Sequence, residues 1–239
     1  MERAGLSGAE RCNCVAVKRT RDLKETANIP PNFKDASLDP DSFQMPKNNP
    51  IAQEGLGRAL MQVRSFVREF PAADHPGLLL IGDSGTGKTH LAVAAMKALL
   101  DRGHECVFFN FQNLLQRIRQ GWDSSSNTTD REAYRTALDA EVLVLDDLGA
   151  RRVIDWVEDT INDIVTHRCD QRKPLIATTN LSDEERLTTE FAMPGGDKKT
   201  IRSRTLAEAI GTRARSRLFE MCRVVRMPAV EDYRVNRGR

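Results

Sequence analysis

The chain predicts an α/β fold: a parallel central sheet covered by helices on both faces in three layers, with a short N-terminal appendage. Two kinds of pattern carry this. Apolar runs without polar alternation, such as Leu78-Leu79-Leu80-Ile81 and Val142-Leu143-Val144-Leu145, suit strands buried on both faces. Helical stretches separate these runs, as expected of parallel strands joined by crossovers.

Residues 1–48 read as the appendage. They contain Cys12, Cys14, a mixed-charge run from Lys18 to Lys24 and four prolines, with little periodicity. The main domain spans 49–239. Pro50 opens a helix whose apolar positions Ile51, Leu56, Leu60, Val63, Phe66 and Val67 stop before Pro71. The strand Leu78–Ile81 follows, then a helix from Lys88 to about Asp101 closed by Gly103. Cys106–Phe109 reads as a strand, Gln112–Gln120 as a helix and Asp123–Asp130 as a loop. Arg131–Leu138 and Val153–Arg168 read as helices around the strand Val142–Leu145. Leu175–Thr178 is a further strand and Met193–Lys199 a surface loop. Leu206–Glu220 reads as one helix before a last strand, Arg223–Arg226.

Composition narrows the class. Charged residues are 29% and aromatics 5% of 239 residues, the profile of a soluble globular protein. No apolar run nears the roughly 20 residues of a membrane span, and no signal peptide is visible. Five cysteines, an odd number, fit a reduced cytoplasmic protein better than a disulfide framework. Lys198–Arg239 holds twelve Lys or Arg against four Asp or Glu, so the basic charge is concentrated at the C-terminal end. Such a stretch suits contact with a polyanion, although a solvated basic surface reads the same way.

Chemistry is densest at Gly82-Asp83-Ser84-Gly85-Thr86-Gly87-Lys88-Thr89, which satisfies G-x-x-x-x-G-K-[ST]. Its glycines let successive N–H groups turn toward phosphate oxygens, and the next helix adds its positive end. Lys88 is placed to reach the β- and γ-phosphates and Thr89 to ligate magnesium. A turn of this composition without a ligand is the competing reading; a chance match in a chain this long is about one per cent. Downstream, Asp146-Asp147 ends a buried strand, at the sheet edge where open α/β folds bind ligands. Asp146 suits a magnesium ligand and Asp147 a base for the attacking water. The next strand ends in Thr179-Asn180, whose amide could hold that water or mark only a turn.

These words together resemble the DnaC, DnaI and IstB branch of the AAA+ ATPases, a group of P-loop NTPases, over about residues 25–239. The resemblance rests on Ile29-Pro30 with Phe33, on Gly85 to Ala92, and on Leu145-Asp146-Asp147-Leu148-Gly149. Thr178-Thr179-Asn180-Leu181 and the stretch from Gly211 to Leu218 complete it. It implies ATP and magnesium as cofactors, with His90 joining the nucleotide-binding set. It implies Asn180 as sensor 1, and Arg217 as the arginine finger that reaches a neighbouring subunit's ATP, with Arg213 as second candidate. Arg234 then matches sensor 2. Relatives often carry a further Cys pair upstream of residues like Cys12 and Cys14; two ligands alone do not close a tetrahedral zinc site.

The function implied is a helicase loader. It would self-associate through ATP at subunit interfaces, engage single-stranded DNA and place a DnaB-type replicative helicase on it. Phe109, Phe111, Arg117, Arg119 and Trp122 supply charge and stacking surface for DNA, although both phenylalanines also suit a core. A transposition ATPase of the IstB type shares the same words, and a transposase gene nearby would favour it. A small-molecule P-loop kinase is the reading from another class, and no arginine-rich lid supports it.

Overall fold

The computed structural model describes residues 13–40, 42–43, 49–71, 74–122, 128–150, 155–183, 187–192, 198–230 and 232. For 13–17, 122, 128–131, 187–192 and 198–202 the description is of the backbone alone.

Five strands form the central sheet: β1 (Gly77–Ile81), β2 (Cys106–Asn110), β3 (Val142–Asp146), β4 (Leu175–Thr179) and β7 (Cys222–Arg226). Their order is β2-β3-β4-β1-β7, and every pairing is parallel. Successive residues of a strand point to opposite faces, so an unbroken apolar run feeds two cores. Leu78 and Leu80 enter a cluster with Val63, Phe66, Leu91 and Met96. Leu79 and Ile81 enter a second one with Leu114, Ile161, Ile164 and Leu218. Helices α2 (Pro50–Glu69) and α3 (Lys88–Asp101) thus cover one face. The other face is covered by α4 (Phe111–Trp122), α5 (Thr128–Asp139), α6 (Asp155–Asp170), α7 (Leu206–Ile210) and α8 (Thr212–Met221). The expected three-layer α/β architecture is what the chain adopts.

Helix α2 begins where the sequence places it. Asn49 caps it by accepting the Ala52 N–H at 3.0 Å, and Pro50 occupies its first turn. Arg168 is wholly buried near the end of α6. Its guanidinium donates to the carbonyls of Ala137, Leu138, Glu141 and Pro174 at 2.6–3.2 Å. These bonds tie α6 to the end of α5 and to the starts of β3 and β4. Burial draws its pKa down to about 10, which leaves it cationic.

Four departures from the sequence reading stand out. Residues Asn13–Thr26 form helix α1, inside a stretch read as aperiodic. Beyond it Ala27 accepts the Phe108 N–H at 2.9 Å, and Ala36 and Phe43 are buried in the α2–α3 cluster. Lys198 and Lys199, read as loop, begin strand β6 (Lys198–Arg202), which pairs antiparallel with β5 (Leu187–Ala192). The helix read over Leu206–Glu220 is two helices broken at Gly211, whose φ of +83° no helix accommodates. Finally, α5 starts at Thr128, within the expected loop. Among the described residues, no helix is long and apolar enough to cross a membrane.

Candidate functional site

The loop Gly82–Thr89 leaves the carboxyl end of β1 and runs into α3. The Gly82 N–H donates to Thr179 O of β4 at 3.2 Å, fixing the loop's entry beside the neighbouring strand. Inside the loop Thr86 Oγ1 donates to Asp83 O at 2.9 Å, and Lys88 Nζ donates to the same carbonyl at 2.7 Å. Lys88 is buried, so its ammonium is held over the loop that its own chain makes. The N-cap of α3 is Gly87 and supplies no side-chain cap. The first N–H groups of α3 therefore face the loop, the arrangement that binds anions at helix starts.

Asp146 ends β3 and is 6% exposed. Its Oδ1 accepts the hydroxyl of Thr89 at 2.8 Å and that of Thr178 at 2.7 Å. Burial raises its pKa above the ordinary aspartate range, and the two hydroxyls oppose that shift. A desolvated carboxylate beside a threonine hydroxyl is a hard-oxygen donor set, and it fits magnesium. Asp147 follows with φ of +57° and is half-buried; its N–H donates to Thr178 Oγ1 at 3.0 Å. The next N–H, that of Leu148, donates to Thr178 O at 2.8 Å. Thr178 thus holds the Asp146 carboxylate and the backbone of Asp147 and Leu148 in place, a role that the sequence reading missed although it quoted the residue. Asn180 lies exposed just past β4, at the same edge of the sheet.

Two segments remote in sequence touch the loop. Gly87 has φ of +92°, and a methyl there would collide with the Phe43 ring. That ring also lies 5.4 Å from the imidazole of His90, whose Nε2 contacts Ser37 O at 3.2 Å. His90 therefore meets the 37–43 segment, and burial lowers its pKa. On the other side, a methyl on Gly85 would collide with the carboxylate of Asp232. Phe43 and Asp232 carried no sequence signal, since neither belongs to a motif or a periodic run.

The arginines of α8 have different settings. Arg213 is exposed in the first turn. Arg215 donates to Asp183 Oδ1 from Nε at 3.0 Å and from Nη2 at 2.5 Å, and its guanidinium lies 4.4 Å over the Phe219 ring. Arg217 pairs with Glu220 at 2.8 Å and lies 3.9 Å from Asp170. Arg234, Cys12 and Cys14 fall outside the residues whose side chains are described, as does the Trp122 side chain. Phe109 and Phe111 are 5% and 1% exposed and belong to the second core, so they offer no stacking surface. Arg117 lies 5.7 Å over the Phe109 ring, and Arg119 is exposed.

The family model described as IstB-like ATP binding protein matches residues 59–234. The replicative helicase loader DnaC of Escherichia coli K12 is 27% identical over 139 residues, 58% of this chain and 56% of that protein. The loader DnaI of Bacillus subtilis is 27% identical over 135 residues, 56% of this chain and 42% of its own length. The chain thus spans about half the length of the curated relatives it matches. A crystal structure of the DnaC helicase loader superposes with a TM-score of 0.62 at 31% identity, covering 83% of this chain and all of that one. A structure of AMPPCP-bound DnaA from Aquifex aeolicus, 16% identical with a TM-score of 0.59, shares the fold; the alignment covers 87% of this chain and 53% of that one. A phosphate loop facing a strand-end carboxylate and a family match over most of the chain agree: this chain belongs to the IstB-like ATP-binding proteins, the DnaC/IstB branch of the AAA+ ATPases.

Proposed function

We propose that the chain is an ATP-hydrolysing helicase loader that binds ATP with magnesium, self-associates, engages single-stranded DNA and delivers a DnaB-type replicative helicase to it. The observation that carries the enzymatic half is the contact between Thr89 and Asp146, which brings the ends of both nucleotide motifs together at 2.8 Å. The loader half is supported by the similarity to DnaC and DnaI.

In this reading Gly82–Thr89 and the first turn of α3 wrap the phosphates, and Lys88 leaves the Asp83 carbonyl for the β- and γ-oxygens. Thr89 and Asp146 hold magnesium, which when bound neutralises charge on the phosphate oxygens. Asp147 accepts the proton of the attacking water, and Asn180 orients that water or contacts the γ-phosphate. Arg217, or in second place Arg213, reaches the nucleotide of a neighbouring subunit and offsets charge as the phosphoryl group transfers. A finger of this kind is worth about 10³–10⁵ in rate. Arg217 has to give up Glu220 to do so, whereas Arg213 starts exposed. Arg234 serves as sensor 2. His90 acts on the loop through its contacts with Phe43 and Ser37.

The test is gel filtration of the chain with its host's replicative helicase, with and without ATP. Co-elution with ATP supports loading, and its absence in both states refutes it. The match to an IstB-like model favours a second reading, a transposition ATPase acting with a transposase. Retention of the transposase rather than the helicase in a pull-down would select it.

A further inference from the structure

Helix α8 packs against α6, α7, β1 and β7. Its ten residues bury only Ala214, Leu218 and Met221, and its N-cap Gly211 contributes no side-chain bond. In its N-terminal half the apolar contact is thus a single alanine methyl, which constrains neither tilt nor rotation strongly. Yet this half carries Arg213, and the arginine face continues to Arg217. A polar contact adds to the packing on α6 and α7 in setting its orientation.

Asp183 supplies that contact. It stands three residues beyond Asn180, and its side chain is 13% exposed. Oδ1 accepts both Nε and Nη2 of Arg215, and Oδ2 lies 3.5 Å from Nη2 of Arg226, the last residue of β7. Charge-assisted bonds from two donors of one rigid guanidinium fix orientation as well as distance. Phe219 closes the other side of Arg215, with its ring 4.4 Å away. The neighbouring residue adds a second tether: Ser182 O accepts the Leu206 N–H at 2.8 Å, and Ser182 bridges Thr205, the N-cap of α7. The stretch from Asn180 to Asp183 is therefore joined to the α7–α8 pair at two points and to β7 at a third.

We propose that Asp183 is a positioning residue: through Arg215 it holds the arginine face of α8 relative to the Asn180 end of β4, so that an α8 arginine reaches the nucleotide of the adjoining subunit. Arg215 itself is spent on this clamp and is not the finger. This rests on the ATPase reading of the site, and it adds a defined link between the residue that faces a subunit's own nucleotide and the helix that serves its neighbour's. Arg226 reinforces the link at longer range.

Because the finger acts between subunits, mixing experiments separate positioning from mere stability. Asp183→Asn keeps its phosphate loop, Asp146 and Asp147, so it should bind a fluorescent ATP analogue as the parent does. At concentrations where the parent assembles on single-stranded DNA, its turnover should fall at least tenfold. Lys88→Ala has a disabled phosphate loop but an undisturbed α8. Mixed one to one, the two inactive variants should recover a substantial share of turnover, since Lys88→Ala subunits present a held arginine to Asp183→Asn sites. Asp183→Glu should retain part of the activity alone, and Arg215→Met should reproduce the Asp183→Asn defect and its recovery in the mixture. Parental turnover by Asp183→Asn overturns the proposal. So does a mixture that stays inactive, or loss of analogue binding together with melting temperature, which marks a purely structural role. If the parent chain shows no assembly-dependent turnover, it is the ATPase reading that falls, and this proposal with it.

Discussion

The hydroxyls of Thr89 and Thr178 converge on one oxygen of Asp146, at 2.8 and 2.7 Å, from α3 and from β4. Without a cation, this carboxylate pays for its burial with a raised pKa. The folded chain then binds the proton more tightly than the unfolded one. Stability accordingly falls as pH rises from the ordinary aspartate range through the raised value. Asp146→Asn is therefore expected to raise the melting temperature of the nucleotide-free protein at pH 7. A gain of about 2–4 °C corresponds to ~1 kcal/mol in a chain of this size. The gain should shrink on acidification, and turnover should be lost. Calorimetry across pH measures both trends, and destabilisation at pH 7 would refute the account.

Lys88 and Asp147 separate binding from chemistry. Lys88→Ala removes the buried ammonium that sits over the phosphate loop, and nucleotide binding or hydrolysis should disappear. Asp147→Asn leaves the loop and Asp146 intact, so ATP should remain bound while turnover stops. Equilibrium binding combined with phosphate release distinguishes the two, and normal turnover by Asp147→Asn would remove it from the role of base.

Arg217→Ala and Arg213→Ala decide which arginine acts in trans. Either variant should bind ATP normally as a monomer. The one that carries the finger should lose about 10³-fold or more of assembly-dependent hydrolysis, and the other should lose little. Steady-state rates at rising protein concentration, with single-stranded DNA present, provide the comparison. If both variants hydrolyse as the parent does, the finger lies elsewhere.

Phe43→Ala removes a buried ring lying against Gly87 and His90. A cavity of that size costs about 3–5 kcal/mol. Water entering it should relax the burial that lowers the His90 pKa, so the imidazole would titrate closer to its usual 6.5. In the parent, the neutral His90 adds stability above about pH 6.5 that is lost as pH falls toward the lowered value. This acid sensitivity should be smaller in the variant. NMR titration of His90 and urea unfolding at two pH values test both parts.

What could be read beforehand follows from the range of the forces involved. The strands and the phosphate loop were visible because an apolar run and a glycine spacing are local patterns. The break at Gly211 was hidden because Leu206, Ile210, Ala214 and Leu218 keep a four-residue spacing straight through it. The β5–β6 pair was missed because its strands lack an apolar run, although Pro194-Gly195-Gly196 between them was itself a hairpin signal. Asp183, Phe43 and Asp232 act through a few contacts across long stretches of chain, and no periodicity announces such contacts.

Gly85 and Gly87 stand two residues apart, and each is pressed by a segment from elsewhere: Asp232 from after β7, and Phe43 from before α2. Segments from both ends of the fold therefore close on the turn that wraps the phosphates, and a side chain at either glycine would have to displace one of them.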